Sequence, residues 1–244
     1  LADDTILIFT SDNGGLHVME LGIPPATHNT PFRAGKGYLY EGGLRVPCIV
    51  RWPGHIQPAT VDQPFVNTDF PPTLLGLAGI PVPSGLDGVD LSAQWTGKNP
   101  PAARTLYWHF PHYTNQGSRP GGAVREGDWK LIEHYEDHRR ELFNLADDPA
   151  EENDLAEKHP ERVENLSAKL AAWRKEIDAQ ENTLNPDFDA QLHKKIYSDY
   201  DSTRVKWATT AKEIGEAQKE WRSLMDQVVR RPGKGQGAKS AKKE

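Results

Sequence analysis

One cysteine, Cys48, in 244 residues excludes an internal disulfide framework and a Cys-rich zinc site. It leaves the redox compartment open, because many exported proteins also lack disulfides. No apolar run approaches the length of a membrane span, no signal peptide is recognisable, and there is no internal repeat. Neither sign of charge dominates: 29 Lys and Arg stand against 35 Asp and Glu, a net charge of -6, which does not point to a nucleic-acid binder. Apolar residues make up 36% of the chain and the mean hydropathy is -0.70, so part of it is expected to lie outside any core. What remains is a length sufficient for one large domain, or one domain with an appendage, and for a sizeable core.

The first structured stretch is TILIFTSDNGG, residues 5–15. Residues 5–10 read as a fully buried strand of the parallel-sheet type. The chain opens on Leu1 and reaches this strand within a few residues, which predicts a fragment whose N-terminal portion lies upstream. PCIVRW, residues 47–52, reads as a second short buried strand closed by Pro53-Gly54, with Cys48 as a core thiol. The Gly- and Pro-rich loop between the strands is long for a segment without structure, and such loops tend to be functional. TDFPPTLLGLAGI predicts a helix with Thr68 or Asp69 as cap and prolines in its first turn. PVPSGLDGVDLSAQWTG predicts a loop followed by a short helix.

After Pro101 the texture changes. TLYWHF, GAVREGD, WKLIEHY and ELFNL predict short antiparallel strands separated by turn signals at Gly127-Asp128 and Glu136-Asp137. Val163, Leu166, Leu170, Trp173 and Ile177 recur at helical spacing and predict a helix docked on that sheet. Ile214, Trp221, Leu224, Met225 and Val228 mark a second helix. Both stripes read as core. The tail from Arg231 is basic and nearly free of apolar residues, and it is expected to be disordered. The boundaries that follow are 1–101, 102–185, 186–230 and 231–244.

Asp12 and Asn13 offer a carboxylate and an amide oxygen just beyond a strand's carboxyl end, where open α/β sheets bind ligands. Both are hard donors, suited to calcium or magnesium rather than zinc. An Asx-type turn uses the same residues, so two readings stay open. Lys36 stands between Gly35 and Gly37, which lets its ammonium approach an anion closely. The spacing is not that of a phosphate-binding P-loop, and a solvated loop lysine is the alternative. Glu41 and Arg45 are spaced to pair and read as structural. His109 and His112 lie in the aromatic loop YWHFPHYTNQG and can serve either a sugar or aryl substrate or the local packing. NLADDPAEEND lacks EF-hand spacing and its central glycine, and reads as structural.

Taken together, SDNGG, RAGKGYLYEGG and EGGLRVPCIVRWPG resemble the type I sulfatases of the alkaline phosphatase superfamily, calcium enzymes with a formylglycine nucleophile. TDFPPTLLGLAGI, LDGVDL, GDWKLI and ELFNLADDPAEENDLA extend the resemblance over most of the chain. It implies an alkaline-phosphatase-like α/β sandwich, represented by the C-terminal part of its large mixed sheet. A small antiparallel-sheet subdomain with a packed helix would follow. It implies one calcium ion held partly by Asp12 and Asn13, a sulfate contact from Lys36, and a lining role for His112 in the substrate pocket. A periplasmic or secreted location is also expected from the resemblance.

The C/S-x-P-x-R motif that yields formylglycine is absent, as are the paired aspartates of the first metal motif. In the family these precede SDNG. The chain therefore holds about half of the expected site, carries no catalytic nucleophile, and alone is expected to show no turnover. The expected activity of the intact protein is hydrolysis of a sulfate ester, on a sulfated carbohydrate or an aryl substrate. The alternatives are a phosphodiesterase or phosphonate hydrolase of the same superfamily, and a catalytically inactive sulfate-binding relative.

Overall fold

The computed structural model describes the chain except residues 21, 22, 26, 99–102, 206–209 and 231–244. The predicted basic tail therefore lies outside the described residues. In chain order the elements are β1 (Leu7–Thr10), α1 (Glu41–Leu44), β2 (Cys48–Arg51), α2 (Phe70–Leu77), α3 (Ser92–Trp95), β3 (Thr105–Phe110), β4 (Gly121–Glu126), β5 (Trp129–His134), β6 (Arg140–Asn144), α4 (Pro160–Glu176), α5 (Ala190–Tyr197) and α6 (Ala211–Arg230). Contacts divide them into two units, Leu1–Ser11 with Pro47–Arg104, and Asp12–Val46 with Thr105–Glu244.

In the first unit β1 and β2 pair antiparallel, with Leu7 opposite Arg51 and Thr10 opposite Cys48. This corrects the expectation of buried, parallel-type strands. Leu7 is 59% exposed and Phe9 and Ile49 are each 61% exposed. The reason is physical: among the described residues the ladder has only two strands, and a sheet face is buried only by further layers. Cys48 is likewise exposed and is not a core thiol. Burial of its immediate surroundings still raises the thiol pKa, partly offset by a bond to Thr10.

The helix α2 forms as its sequence predicts, with Pro71 and Pro72 in the first turn, where the missing N–H groups cost nothing. Asp69 does not cap it with its side chain. Fully buried, it instead accepts the N–H groups of Val66 (2.9 Å) and Val89 (3.0 Å) and takes Nη1 of Arg104 at 2.8 Å. Thr73 Oγ1, also buried, accepts the N–H of Leu91 at 3.0 Å. The loop 86–91 is thus laid along α2 by two buried side chains.

The second unit is built on a four-stranded antiparallel sheet in the order β3-β4-β5-β6. Its registers run Thr105 opposite Glu126, Glu126 opposite Trp129, and Trp129 opposite Asn144. Alternation sends Val124, Leu131 and Leu142 to one face, where Val163, Leu166 and Leu170 of α4 cover them. Trp173 stacks flat on Tyr107, centroids 5.0 Å apart. Ile177 falls just past the helix end and is 49% exposed. Ala123, Ile132 and Phe143 face the other way and pack on Ala34, Tyr38 and Tyr40. The sheet is therefore sandwiched between α4 and the loop that carries Lys36.

A third cluster joins Val18 to Ile196, Trp221 and Met225, so that α5 and α6 clamp the segment following SDNGG. Here α6 also holds backbone directly. Gln218 Oε1 accepts the N–H of Met19 at 2.5 Å, and Arg222 Nη1 donates to the Met19 carbonyl at 3.2 Å. The stripe read from the sequence is buried at Ile214, Trp221 and Met225, while Val228 is 39% exposed.

Candidate active site

Asp12 and Asn13 begin the second unit, in a bend after Ser11. Asp12 is exposed and Asn13 half-buried. The glycines that follow are packed backbone to backbone against the Lys36 loop. The Gly14 N–H donates to the Gly43 carbonyl at 3.0 Å, and the Lys36 N–H donates to the Gly15 carbonyl at 3.2 Å. A Cβ on Gly14 would stand 1.7 Å from the Gly42 carbonyl oxygen, so only glycine permits this approach. Asn29 completes the join. Its Oδ1 accepts the Gly15 N–H at 2.8 Å, and its Nδ2 donates to the carbonyls of Gly15 (2.8 Å) and Ala34 (2.9 Å).

Two stretches that the sequence separates by about twenty residues thus share one backbone framework. The Lys36 side chain is exposed on it. His112 is exposed on the loop after β3, its ring edge-on to Phe110 at 5.4 Å. His109 is committed elsewhere: Nδ1 meets the Tyr135 hydroxyl at 2.7 Å and Nε2 donates to the Gln180 carbonyl at 2.8 Å.

Beneath the glycine join lies a buried ion network. Lys130 Nζ is 2.9 Å from Glu41 Oε1 and 2.9 Å from Glu151 Oε1. The other oxygen of Glu151 accepts the Glu41 N–H at 2.7 Å and so caps α1 from outside. Burial works to raise the Glu41 carboxyl, but the Lys130 ammonium outweighs it and holds the group below its ordinary range. For Glu151 burial prevails and the carboxyl is raised. Burial works to lower the Lys130 pKa, but the two carboxylates outweigh it and raise it. Arg45 reaches Glu41 only at 4.0 Å, so the pairing read from the sequence is the weaker of that residue's contacts.

A second network centres on Glu141. Tyr40 donates to it at 2.5 Å, His134 lies at 2.8 Å, and Arg139 and Arg33 approach at 3.1 and 3.4 Å. Burial opposes ionisation of Glu141, but these partners hold its carboxyl far below the usual range. Sequence reasoning misses both networks, because each joins the segment around residues 33–41 to side chains of the distant sheet and its turns, with no periodicity to mark them.

The donor set at Asp12 and Asn13 fits a hard cation, and two ligands are a fraction of the six to eight oxygens calcium takes. Among the described residues no group of three or more His, Cys, Asp or Glu is placed to hold a metal. The acidic stretch after β6 is structural, as expected, and forms a turn: Asp148 accepts the N–H groups of Glu152 (3.0 Å) and Asn153 (2.8 Å). Among the described residues no helix is long and apolar enough to cross a membrane.

The family model described as N-sulphoglucosamine sulphohydrolase, C-terminal, matches residues 34–180. A protein named Sulfatase from Formosa agariphila is 35% identical over 191 residues, covering 71% of this chain and 33% of its own length. The N-acetylgalactosamine-6-O-sulfatase of Bacteroides thetaiotaomicron is 31% identical over 192 residues, covering 70% of this chain and 36% of its own. A structure solved in complex with its substrate D-glucosamine-2-N,6-O-disulfate superposes with a TM-score of 0.56 at 28% identity, over 71% of this chain and 34% of that one. This chain therefore spans about a third of the length of the curated relatives it matches. The likeness bears out the alkaline-phosphatase-like α/β class expected from the sequence.

Proposed function

We propose that this chain, which belongs to the sulfatase family, supplies one side of a centre that hydrolyses a sulfate ester of a saccharide. The observation that carries the reading is the backbone join of Gly14 to Gly43 and of Lys36 to Gly15, which ties the acid–amide pair to the lysine segment. The saccharide is favoured because relatives named above act on, or are bound to, sulfated amino sugars. The aromatic loop at His112 offers a wall for a sugar ring.

In this reading Asp12 and Asn13 give oxygen ligands to one calcium ion, with the remaining ligands and the formylglycine nucleophile supplied from outside this chain. Bound calcium would supply Lewis-acid polarisation of the sulfuryl oxygens. Lys36 places a cation on a framework tied to the metal side, and its ammonium offsets negative charge on the sulfuryl group as the alcohol leaves. His112 hydrogen-bonds the sugar. A periplasmic or secreted location accompanies the reading.

The test uses the full-length protein. Asp12→Ala should abolish calcium binding measured by calorimetry, and Lys36→Ala should leave calcium binding intact while lowering sulfate-ester hydrolysis by roughly 10²–10³-fold. Unchanged calcium affinity in Asp12→Ala would remove that residue from the ligand set.

A further inference from the structure

The second unit contains a cavity of about 360 Å³, within the size range of ligand pockets, whose lining includes none of Asp12, Asn13, Lys36 and His112. One wall comes from the sheet and its turn, with Arg119, His134, Asp137 and Arg139. The opposite wall comes from the segment closing α5, with Tyr197 and Asp201. That segment lies beyond the residues matched by the family model.

Each guanidinium lining this cavity already faces a carboxylate. Arg119 Nη1 donates to Asp137 Oδ2 at 3.0 Å, Arg139 is paired with Glu141 at 3.1 Å, and buried Arg33 bonds Glu141 and approaches Asp201 at 3.9 Å. Burial lowers the His134 pKa, so this imidazole adds no charge at neutral pH. An anion would have to displace a carboxylate from a guanidinium. A neutral ligand with many hydroxyls would not, since the half-exposed carboxylates (Asp137 45%, Asp201 52%) keep acceptor capacity beyond their present bonds. Phe110 and Tyr197 supply aromatic surface for the C–H face of a ring.

We infer that this cavity binds an uncharged sugar residue, as a saccharide subsite separate from Asp12, Asn13 and Lys36. The inference rests on the sulfatase reading only for the idea that this sugar belongs to the same chain as the sulfated unit.

The experiment is an NMR titration of the protein with N-acetylglucosamine and, separately, with glucuronate. N-acetylglucosamine should shift amides of residues 37–40, 117–119 and 197–203 and saturate. Ser198→Trp, which fills the opening without removing a side-chain hydrogen bond, should weaken binding by roughly tenfold or more while the remaining spectrum stays folded. Lys36→Ala should leave it unchanged. Loss of binding in Lys36→Ala would place the sugar in the sulfate site and overturn the subsite. Preference for glucuronate would overturn the neutral class, and no shift with either sugar would overturn the cavity as a binding site. None of these results depends on calcium binding or hydrolysis, so failure here is separable from failure of the sulfatase reading.

Discussion

Lys130 Nζ lies 2.9 Å from Glu151 Oε1, and solvent reaches neither side chain. With Glu41 at the same distance, one ammonium compensates two carboxylates inside the fold. Removing the cation alone leaves Glu151 without a paired cation and Glu41 with only Arg45 at 4.0 Å. Lys130→Met should therefore destabilise the protein by about 3–5 kcal/mol. Denaturant unfolding would show it, and a loss below about 1 kcal/mol would mean that water already reaches the triad.

Gly42 meets backbone that cannot move aside. A Cβ there would lie 2.3 Å from the Arg33 carbonyl oxygen and 2.4 Å from that of Ala34. At Gly127, φ is +58° and nothing stands within 4 Å. Gly127→Ala should cost about 1–2 kcal/mol from the left-handed backbone alone. Gly42→Ala should cost more than that, and it should also speed hydrogen exchange at the amides of Gly14 and Lys36. Equal melting temperatures for the two variants would contradict the packing described.

His17 donates from Nε2 to the Ser202 carbonyl at 2.9 Å, while Nδ1 is buried without a partner. Burial lowers its pKa from 6.5 to about 4, against the opposing pull of the Ser202 bond. The unfolded chain thus takes up a proton that the folded one refuses. This contribution is fully present above about pH 6.5 and is lost as the pH falls toward 4, amounting to about 3 kcal/mol. Stability measured across that window should decline on acidification, and His17→Gln should flatten the decline. An equally steep profile in the variant would assign the slope to other groups.

Asp69 binds two backbone N–H groups and Arg104 from a fully buried position. Burial works to raise its pKa, but Arg104 and the two N–H donors outweigh that and lower it. Its stabilisation is present above the ordinary carboxylate pKa and fades as the pH falls below it. Asp69→Asn should cost about 3 kcal/mol at neutral pH, with the loss shrinking in acid. Circular dichroism melts at pH 7 and pH 3 would check both parts.

The sheet β3–β6 and the helices α4 and α6 were legible in the sequence because each has one buried face, and a buried face imposes a period. The helix α5 was not read individually: among its eight residues only Ile196 is buried, and its cap, Asp189 accepting the Leu192 N–H, is a single local bond. Cys48 and Ile49 misled for the opposite reason, since an apolar run signals burial only where other layers exist to cover it. At the candidate site, residue types suggested Asp12, Asn13 and Lys36. The work of Asn29, Lys130 and Glu151 in framing that region left no local trace, because a polar side chain spanning distant segments has no periodicity.

The glycine join also bears on how the region can be re-engineered. Residues 12–15 and 33–43 interlock through main-chain atoms, so their shapes are matched as a pair rather than one by one. Transplanting a relative's 33–43 segment to alter substrate preference should succeed only when its own 12–15 segment, and an asparagine equivalent to Asn29, travel with it. The unit of exchange is the framework, not the loop.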